Sequence, residues 1–315
     1  MQSVLLVDFN NLLFRTLFTK EINIRSEFPA YSLWRYLVFE SIYEMIYKHV
    51  DAKEVVLAVD DKNSWRRAYF PRYKESRKDK RDKTGIDFDK IFSVVNKYIA
   101  DLKHHMPFKV IKVWNGEADD VIGVIALESR DPIIVHSNDE DYLQLISDRV
   151  QLWNPSKRKF MEYPVDLGTK KTPVIVNNAQ EFLNVKLLTG QSKDDIFNIR
   201  TPRDWGQTPE TIGKSKPPFG PTNASKIIEG YNGRTGKDAI GSWLTDNDLW
   251  ERHKRNATLI DFTRIPHAIK RRVMESYWNY SYPPPENIYE FFKKYKMRGY
   301  LEKFDTVERT LLKLY

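Results

Sequence analysis

Four short apolar runs in the first half of the chain each end in carboxylates, and this repetition limits the fold more than any other feature. Ser3–Phe9 closes on Asp8, and Glu54–Val59 closes on Asp60 and Asp61. Phe108–Val113 leads into Gly116-Glu117-Ala118-Asp119-Asp120, and Pro132–Val135 leads into Ser137-Asn138-Asp139-Glu140-Asp141. Runs of this length, rich in Val, Ile and Leu, read as buried strands of a parallel sheet. Helical periods separate them: one opening at Asn10 and Asn11, an aromatic-rich one over Ser32–Val50, one over Phe88–His104, and one running on from Asp120 as V-I-G-V-I-A-L. The alternation predicts an α/β fold with a mainly parallel central sheet flanked by helices. Right-handed crossovers put the C-terminal ends of parallel strands on one edge, where open α/β sheets hold their ligands. The acids are therefore expected to meet there.

Crowded carboxylates raise one another's pKa, so either several protonate or cations sit among them. The candidates are Asp8, Asp60, Glu117, Asp119, Asp120, Asp139 and Asp141, with Asp194 and Asp195 joining from further along. Oxygen-only donors suit Mg²⁺, with Mn²⁺ as a substitute. Two such ions about 4 Å apart suit in-line phosphodiester hydrolysis. Zinc is disfavoured, because His104 and His105 are adjacent, the other histidines are scattered, and there is no cysteine. The absence of cysteine also excludes disulfides and thiol nucleophiles, and it fits a reducing compartment. The competing use of an acid at a strand end is to cap the next helix. For Asp61 and Asp120 both readings stay open. Residues two apart on an extended segment share a face, so Asp139 and Asp141 are expected to point one way and Glu140 the other.

The formal net charge is +8, and its distribution says more than its total. Lys62–Lys83 carries ten Lys/Arg against three Asp/Glu, with Trp65, Tyr69, Phe70 and Tyr73 interleaved. Cations for phosphates beside rings for bases describe a guide for single-stranded nucleic acid. Arg66, Arg72, Lys74 and Arg77 are the candidate contacts, with Tyr73, Lys74 and Arg77 nearest the scissile phosphate. Val150–Trp153 and Lys159–Tyr163 read as a hairpin. After Thr172 the periods become helical, beginning with Ala179–Leu188, which ends at Gly190. Arg200–Pro221 is an irregular linker, and breaks follow at Pro266 and Pro283–Pro285. These shifts predict an α/β domain over 1–175, with the basic segment at about 62–90, and a smaller all-helical domain over 176–315. No apolar run is long enough to span a membrane, and Asp8 interrupts the apolar start, unlike a signal peptide. A soluble, cytoplasmic chain is expected.

These motifs make the chain resemble the structure-specific 5′-nuclease (flap endonuclease) family and, within it, the ribonuclease H branch of T-even-like bacteriophages. The resemblance rests on V-D-F-N-N at Asp8, V-D-D at Asp60, R-x-x-x-P-x-Y-K-x-x-R around Tyr73, and G-E-A-D-D at Glu117–Asp120. It continues through S-N-D-E-D-Y-L-Q-L at Asp139, L-L-T-G-Q-S-K-D-D-I at Leu187–Ile196, L-I-D-F-T-R-I-P and P-P-P-E-N-I-Y-E-F-F. It implies a PIN-like 5′-nuclease domain and a 5′-to-3′ exonuclease and flap endonuclease that removes RNA primers and adjacent DNA during phage replication. Asp8, Asp60, Asp119 and Asp139 would hold a first Mg²⁺. Asp141 and Asp194 would hold a second, with Glu117 and Asp120 in support. The basic segment would be the family's arch or bridge. Pro217–Ile228 would be its helical-hairpin duplex grip, using Gly220 and Lys226.

The implied partners are RNA–DNA and DNA duplexes with 5′ ends, flaps or forks, together with a phage single-strand-binding protein and sliding clamp. The implied state is a monomer in the host cytoplasm, with no membrane contact. Two positions depart from the family pattern. Gln191 stands where a carboxylate is usual, leaving Asp195 as the alternative ligand, and Pro217–Ile228 lacks the usual paired G-x-G. The rival from another class is a catalytically silent nucleic-acid-binding scaffold. Intact core carboxylates at every strand end argue against it.

Overall fold

The computed structural model describes residues 2–18, 29–49, 51–84 and 86–315. The chain divides into two compact units that do not follow chain order. One comprises Met1–Ser64, Lys80–Met161 and Pro266–Tyr315, and the other Trp65–Asp79 and Glu162–Ile265.

The first unit is built on a six-stranded sheet: β1 (Ser3–Asp8), β2 (Ala52–Ala58), β3 (Lys109–Ile111), β4 (Ile133–His136), β5 (Val150–Asn154) and β6 (Lys159–Met161). Its order is β3-β2-β1-β4-β5-β6. All neighbours are parallel except β5 and β6, the expected hairpin. Every residue of β1 is buried, as its unbroken apolar run requires of a strand covered on both faces. The chain lays down β2 and β3 on one side of β1, then crosses to β4 on the other. That reversal opens a crevice at the C-terminal ends of β1 and β4, the usual ligand position of such sheets. The architecture is the expected one, a mainly parallel sheet with flanking helices.

Helices Pro29–Lys48 and Phe88–His105 cover the sheet through Trp34, Val38, Phe39, Ile42, Tyr98 and Leu102. Val50, at the expected end of the first of these, lies outside the described residues. The C-terminal segment joins the same core. Phe291 and Phe292 of helix Asn287–Lys294, with Tyr300, surround Phe39 at ring distances of 5.0–5.7 Å. Residues 266–315 thus belong to the sheet unit rather than to a separate helical domain, because their apolar faces are buried on it.

The second unit is mostly helical. Helix Ala179–Thr189 ends at Gly190, whose φ of +68° lets the chain turn. A Cβ there would strike the backbone of Ile196 and Phe197. Helices Pro221–Glu229 and Gly236–Asp246 follow, joined by a tight turn in which Tyr231 and Arg234 bridge, and Trp250–Ile260 comes next. The core of this unit contains Phe70, Tyr73, Leu187, Ile196, Phe197, Leu259 and Ile260.

Candidate active site

Asp8 ends β1 and caps helix Phe9–Leu17, accepting from the Asn11 N–H at 3.0 Å. Capping occupies one oxygen. The other accepts from the Ser137 hydroxyl at 2.9 Å and the Tyr142 hydroxyl at 3.3 Å, both across the crevice from β4. Burial pushes the Asp8 carboxyl up to about 6, the Asn11 N–H works against this, and the neighbouring charges of Asp60 and Asp139 add to the rise.

Tyr142 also donates to Asp119 at 2.9 Å, so one buried phenol bridges carboxylates from two strand ends. Burial first, then the charges of Asp119, Asp8 and Asp139, raise its pKa well above the ordinary phenol value. Ser137 is a second relay. It donates to Asp8 and accepts the Asp139 N–H at 3.0 Å, coupling the ends of β1 and β4. Both residues lie in the S-N-D-E-D-Y motif, yet neither was picked out from sequence. Their one visible signal was a hydroxyl and a phenol flanking paired acids.

Asp60 accepts from the Ala118 N–H at 2.7 Å, and its own N–H is held by the Asn10 side chain at 3.1 Å. Glu117 accepts from Ser64 at 3.0 Å. Asp120 is fully buried and accepts the Glu117 N–H at 2.9 Å, which favours its capping role. Asp61 accepts from Asn115 N–H and faces Lys112 at 3.6 Å. Burial works to raise its pKa, but the N–H groups of Asn115, Lys62 and Asn63 and the Lys112 ammonium bring it below the usual carboxylate range. Asp61 therefore braces the turn after β3.

Asp139 and Asp141 are not arranged as expected. Glu140–Leu145 is a 3₁₀ helix and Asp139 is its N-cap, accepting from the Asp141 N–H at 2.9 Å. The alternation of an extended segment therefore does not apply, because the Asp139 carboxylate turns onto the backbone it caps. Glu140 does point outward, pairing with Lys157 at 2.8 Å.

Among the described residues, no three acidic or imidazole side chains are gathered tightly enough to form a ready cation site. Like charges left facing one another repel, and here Tyr142, Ser137 and backbone N–H groups take up carboxylate lone pairs. The donor set still fits a hard divalent cation. It is all oxygen, and the charges of Asp60 and Asp139 add to the rise that burial causes at Asp8, a repulsion that a cation would relieve.

The remaining candidates lie in the second unit. Asp194 is buried and paired with Arg77 at 2.5 Å, while its carbonyl accepts the Lys74 N–H at 2.9 Å. Lys74 itself sits at a φ of +56° with its ammonium 4.8 Å from the Tyr73 ring centre. Asp195 accepts the Ser76 N–H at 2.8 Å, and the backbone of Gln191 bridges that of Ile196. These contacts draw together the basic segment and the L-T-G-Q-S-K-D-D motif.

Three residues expected to meet nucleic acid face elsewhere. Arg66 is 3% exposed, donates to the Leu259 carbonyl at 2.9 Å and lies over Trp65. Arg72 donates to the Trp205 carbonyl at 2.7 Å and pairs with Glu75. Tyr73 is buried in the unit's core. Fixing the segment takes precedence over presenting these side chains, since a buried guanidinium or phenol is stable only where its polar atoms find partners. Arg255, which the sequence did not flag, plays a related part. Buried among Phe70 and Phe197, it donates to the carbonyls of Thr201 and Phe197 at 2.9 Å. Gly220 caps helix Pro221–Glu229 and has open space where a side chain would stand, and Lys226 is exposed on the same helix.

Comparison with known proteins agrees with this picture. Residues 3–172 match the family model described as 5′-3′ exonuclease, N-terminal resolvase-like domain. Residues 179–306 match the one described as T4 RNase H, C terminal. Ribonuclease H of Enterobacteria phage T4 is 27% identical over 307 residues, covering 93% of this chain and 92% of the relative. A 5′-3′ exonuclease of Buchnera aphidicola is 25% identical over 206 residues, covering 62% and 65%. A crystal structure of the bacteriophage T5 flap endonuclease in a complex with DNA and metal ions shares the fold. Its TM-score is 0.55 at 17% identity, with 94% of this chain and 98% of that one covered. With the first of these family models spanning more than half of its length, the chain belongs to the 5′-3′ exonuclease family and carries a C-terminal region like that of phage T4 ribonuclease H.

Proposed function

We propose that this chain is a divalent-metal-dependent 5′-to-3′ exonuclease and flap endonuclease. Its substrates would be RNA–DNA and DNA duplexes with 5′ ends, flaps or forks, and its role the removal of RNA primers and adjacent DNA during phage replication. The observation that carries this reading is the meeting of the Asp8 and Asp119 carboxylates on Tyr142, with Ser137 tying Asp8 to the backbone N–H of Asp139 at the β1–β4 crevice. The relatives point the same way, being a ribonuclease H, a 5′-3′ exonuclease and a flap endonuclease.

In this reading Asp8, Asp60, Asp119 and Asp139 hold one Mg²⁺. Asp141 and Asp194 serve a second, with Glu117 and Asp120 supporting. Bound there, such ions polarise an attacking water and steady the charge developing on the phosphate. The chain's own residues set the stage. Tyr142 and Ser137 fix the carboxylate orientations, a supporting role that typically affects activity by roughly 10- to 100-fold. Lys74 and Arg77 are the proposed cations for the scissile phosphate, with Tyr73, Arg66 and Arg72 anchoring the segment that carries them. Gly220 and Lys226 are the proposed contacts to duplex backbone, using an open backbone approach and an exposed charge. A phage single-strand-binding protein and sliding clamp are the proposed partners, a monomer the working state, and the host cytoplasm the compartment. No described helix is long and apolar enough to cross a membrane.

The test is release of short labelled products from a 5′-labelled flap and from a nicked RNA–DNA duplex, with and without Mg²⁺. Cleavage is expected only with the divalent ion, and Asp139→Asn should lower it by roughly 100-fold or more. Metal-independent product release, or full activity in Asp139→Asn, would refute the reading.

A further inference from the structure

Trp114 stands at the rim just after β3, two residues before Gly116-Glu117, and 63% of it is exposed. An indole in that position loses hydrophobic stabilisation unless something covers it. Its loop is fixed. Asn115 adopts a φ of +60° and donates to Asp61 at 3.0 Å, the Asp61 N–H binds the Gly116 carbonyl at 2.9 Å, and a Cβ on Gly116 would run into Val113. Asp61 is also the neighbour of Asp60 in sequence, so one brace holds both the indole and a carboxylate end. The guanidinium of Arg272, from helix His267–Trp278, lies over one face of the Trp114 ring, 5.0 Å from its centre, and donates to the Trp114 carbonyl. Lys112, half exposed, reaches toward Asp61 from the same loop.

We propose that the face of Trp114 opposite Arg272 is a stacking platform for one unpaired nucleobase of the substrate, with Arg272 supplying a charge for the adjoining phosphate. This rests on the nuclease reading and adds a substrate-binding residue to it. A ring held on a rigid turn loses little conformational freedom when a base stacks on it. The guanidinium over the other face supplies the charge complement of a phosphate, which is the pairing of ring and cation that single-strand binders use. The buried rings of the basic segment, Tyr73 above all, do not offer that surface. Trp114 does, on the loop that leads from β3 to Glu117.

The experiment measures binding of a 5′-flap duplex and a blunt duplex of equal length in Ca²⁺, with 2-aminopurine placed in turn at each unpaired position next to the junction. In the wild type one position is expected to be quenched on binding. Trp114→Ala should abolish that quench and weaken flap binding roughly tenfold, about the size of one base–aromatic stack, leaving blunt-duplex binding unchanged. Trp114→Phe should retain most of both. Arg272→Ala should weaken flap binding and flatten its salt dependence. Wild-type quench and affinity in Trp114→Ala would overturn the proposal and leave the indole to a protein partner, and so would an equal loss on flap and blunt duplex. If the wild type binds neither duplex, the nuclease reading fails first. If it binds both duplexes while Trp114→Ala matches it, only the platform fails.

Discussion

Asp8 carries the clearest electrostatic consequence of the crevice. Its carboxyl is pushed up to about 6, above the ordinary value of 3.8, by burial and by Asp60 and Asp139. The folded state therefore holds a proton that the unfolded state has already released between about pH 4 and 6. This contribution to stability is full below the unfolded pKa and is lost as pH rises through about 6. Without divalent ions, urea unfolding should show stability falling across that window by on the order of 2–3 kcal/mol on account of this group. Asp8→Asn, which can still cap the helix, should remove the slope and be the more stable protein at pH 7. A flat profile in the wild type would count against the burial of this carboxyl among its acidic neighbours. Tyr142→Phe makes a second test, since it deprives Asp8 and Asp119 of a shared donor. It should cost about 1–2 kcal/mol in EDTA, with part of the loss recovered by Mg²⁺, and thermal melting in the two buffers reads this directly. The acids themselves were legible in the sequence because buried parallel strands leave continuous apolar runs with abrupt ends. Ser137 and Tyr142 were not, because their roles depend on which carboxylates lie across the crevice.

Two devices act on whole elements. Lys109 of β3 is buried and donates to Glu54 of β2 and to the Tyr277 carbonyl, each at 3.1 Å, while the Tyr277 hydroxyl donates to Glu54 at 2.7 Å. This closes the β2–β3 edge of the sheet onto helix His267–Trp278. Lys109→Ala leaves Glu54 short of its counter-charge and should destabilise by about 2–4 kcal/mol. Lys109→Met combined with Glu54→Gln should recover most of that, and a double-mutant cycle by chemical denaturation measures the difference. At Gly190 both the positive φ and the nearby backbone forbid a side chain. Gly190→Ala should cost more than about 2 kcal/mol and displace the turn bearing Asp194 and Asp195, visible as early proteolysis of that segment. Most helices and strands were legible from their periods. The 3₁₀ turn Glu140–Leu145 was not, since six residues rich in acids fit an extended segment equally well. Nor did a run of cations and rings reveal that Arg66 and Tyr73 turn inward, because their composition is the same whichever way they face.

Across the whole molecule, apolar faces reveal that a helix will be buried but not on what. That is why helix Asn287–Lys294 and its successors, expected in a separate domain, share a core with β1 and with helix Pro29–Lys48. The excess of cations acts at this scale too. With a net charge of +8, duplex affinity should fall steeply with salt, and neutralising Lys226 should lower the slope of log K against log[salt] by about one. The central claim, however, is that carboxylates from separate strand ends act together on a divalent cation. Mn²⁺ titration of the protein without nucleic acid, followed by electron paramagnetic resonance of the free ion, tests it most directly. The account predicts saturable binding at neutral pH that weakens as pH falls through about 6 and is lost in both Asp8→Asn and Asp119→Asn. Undiminished Mn²⁺ binding in either variant would contradict it.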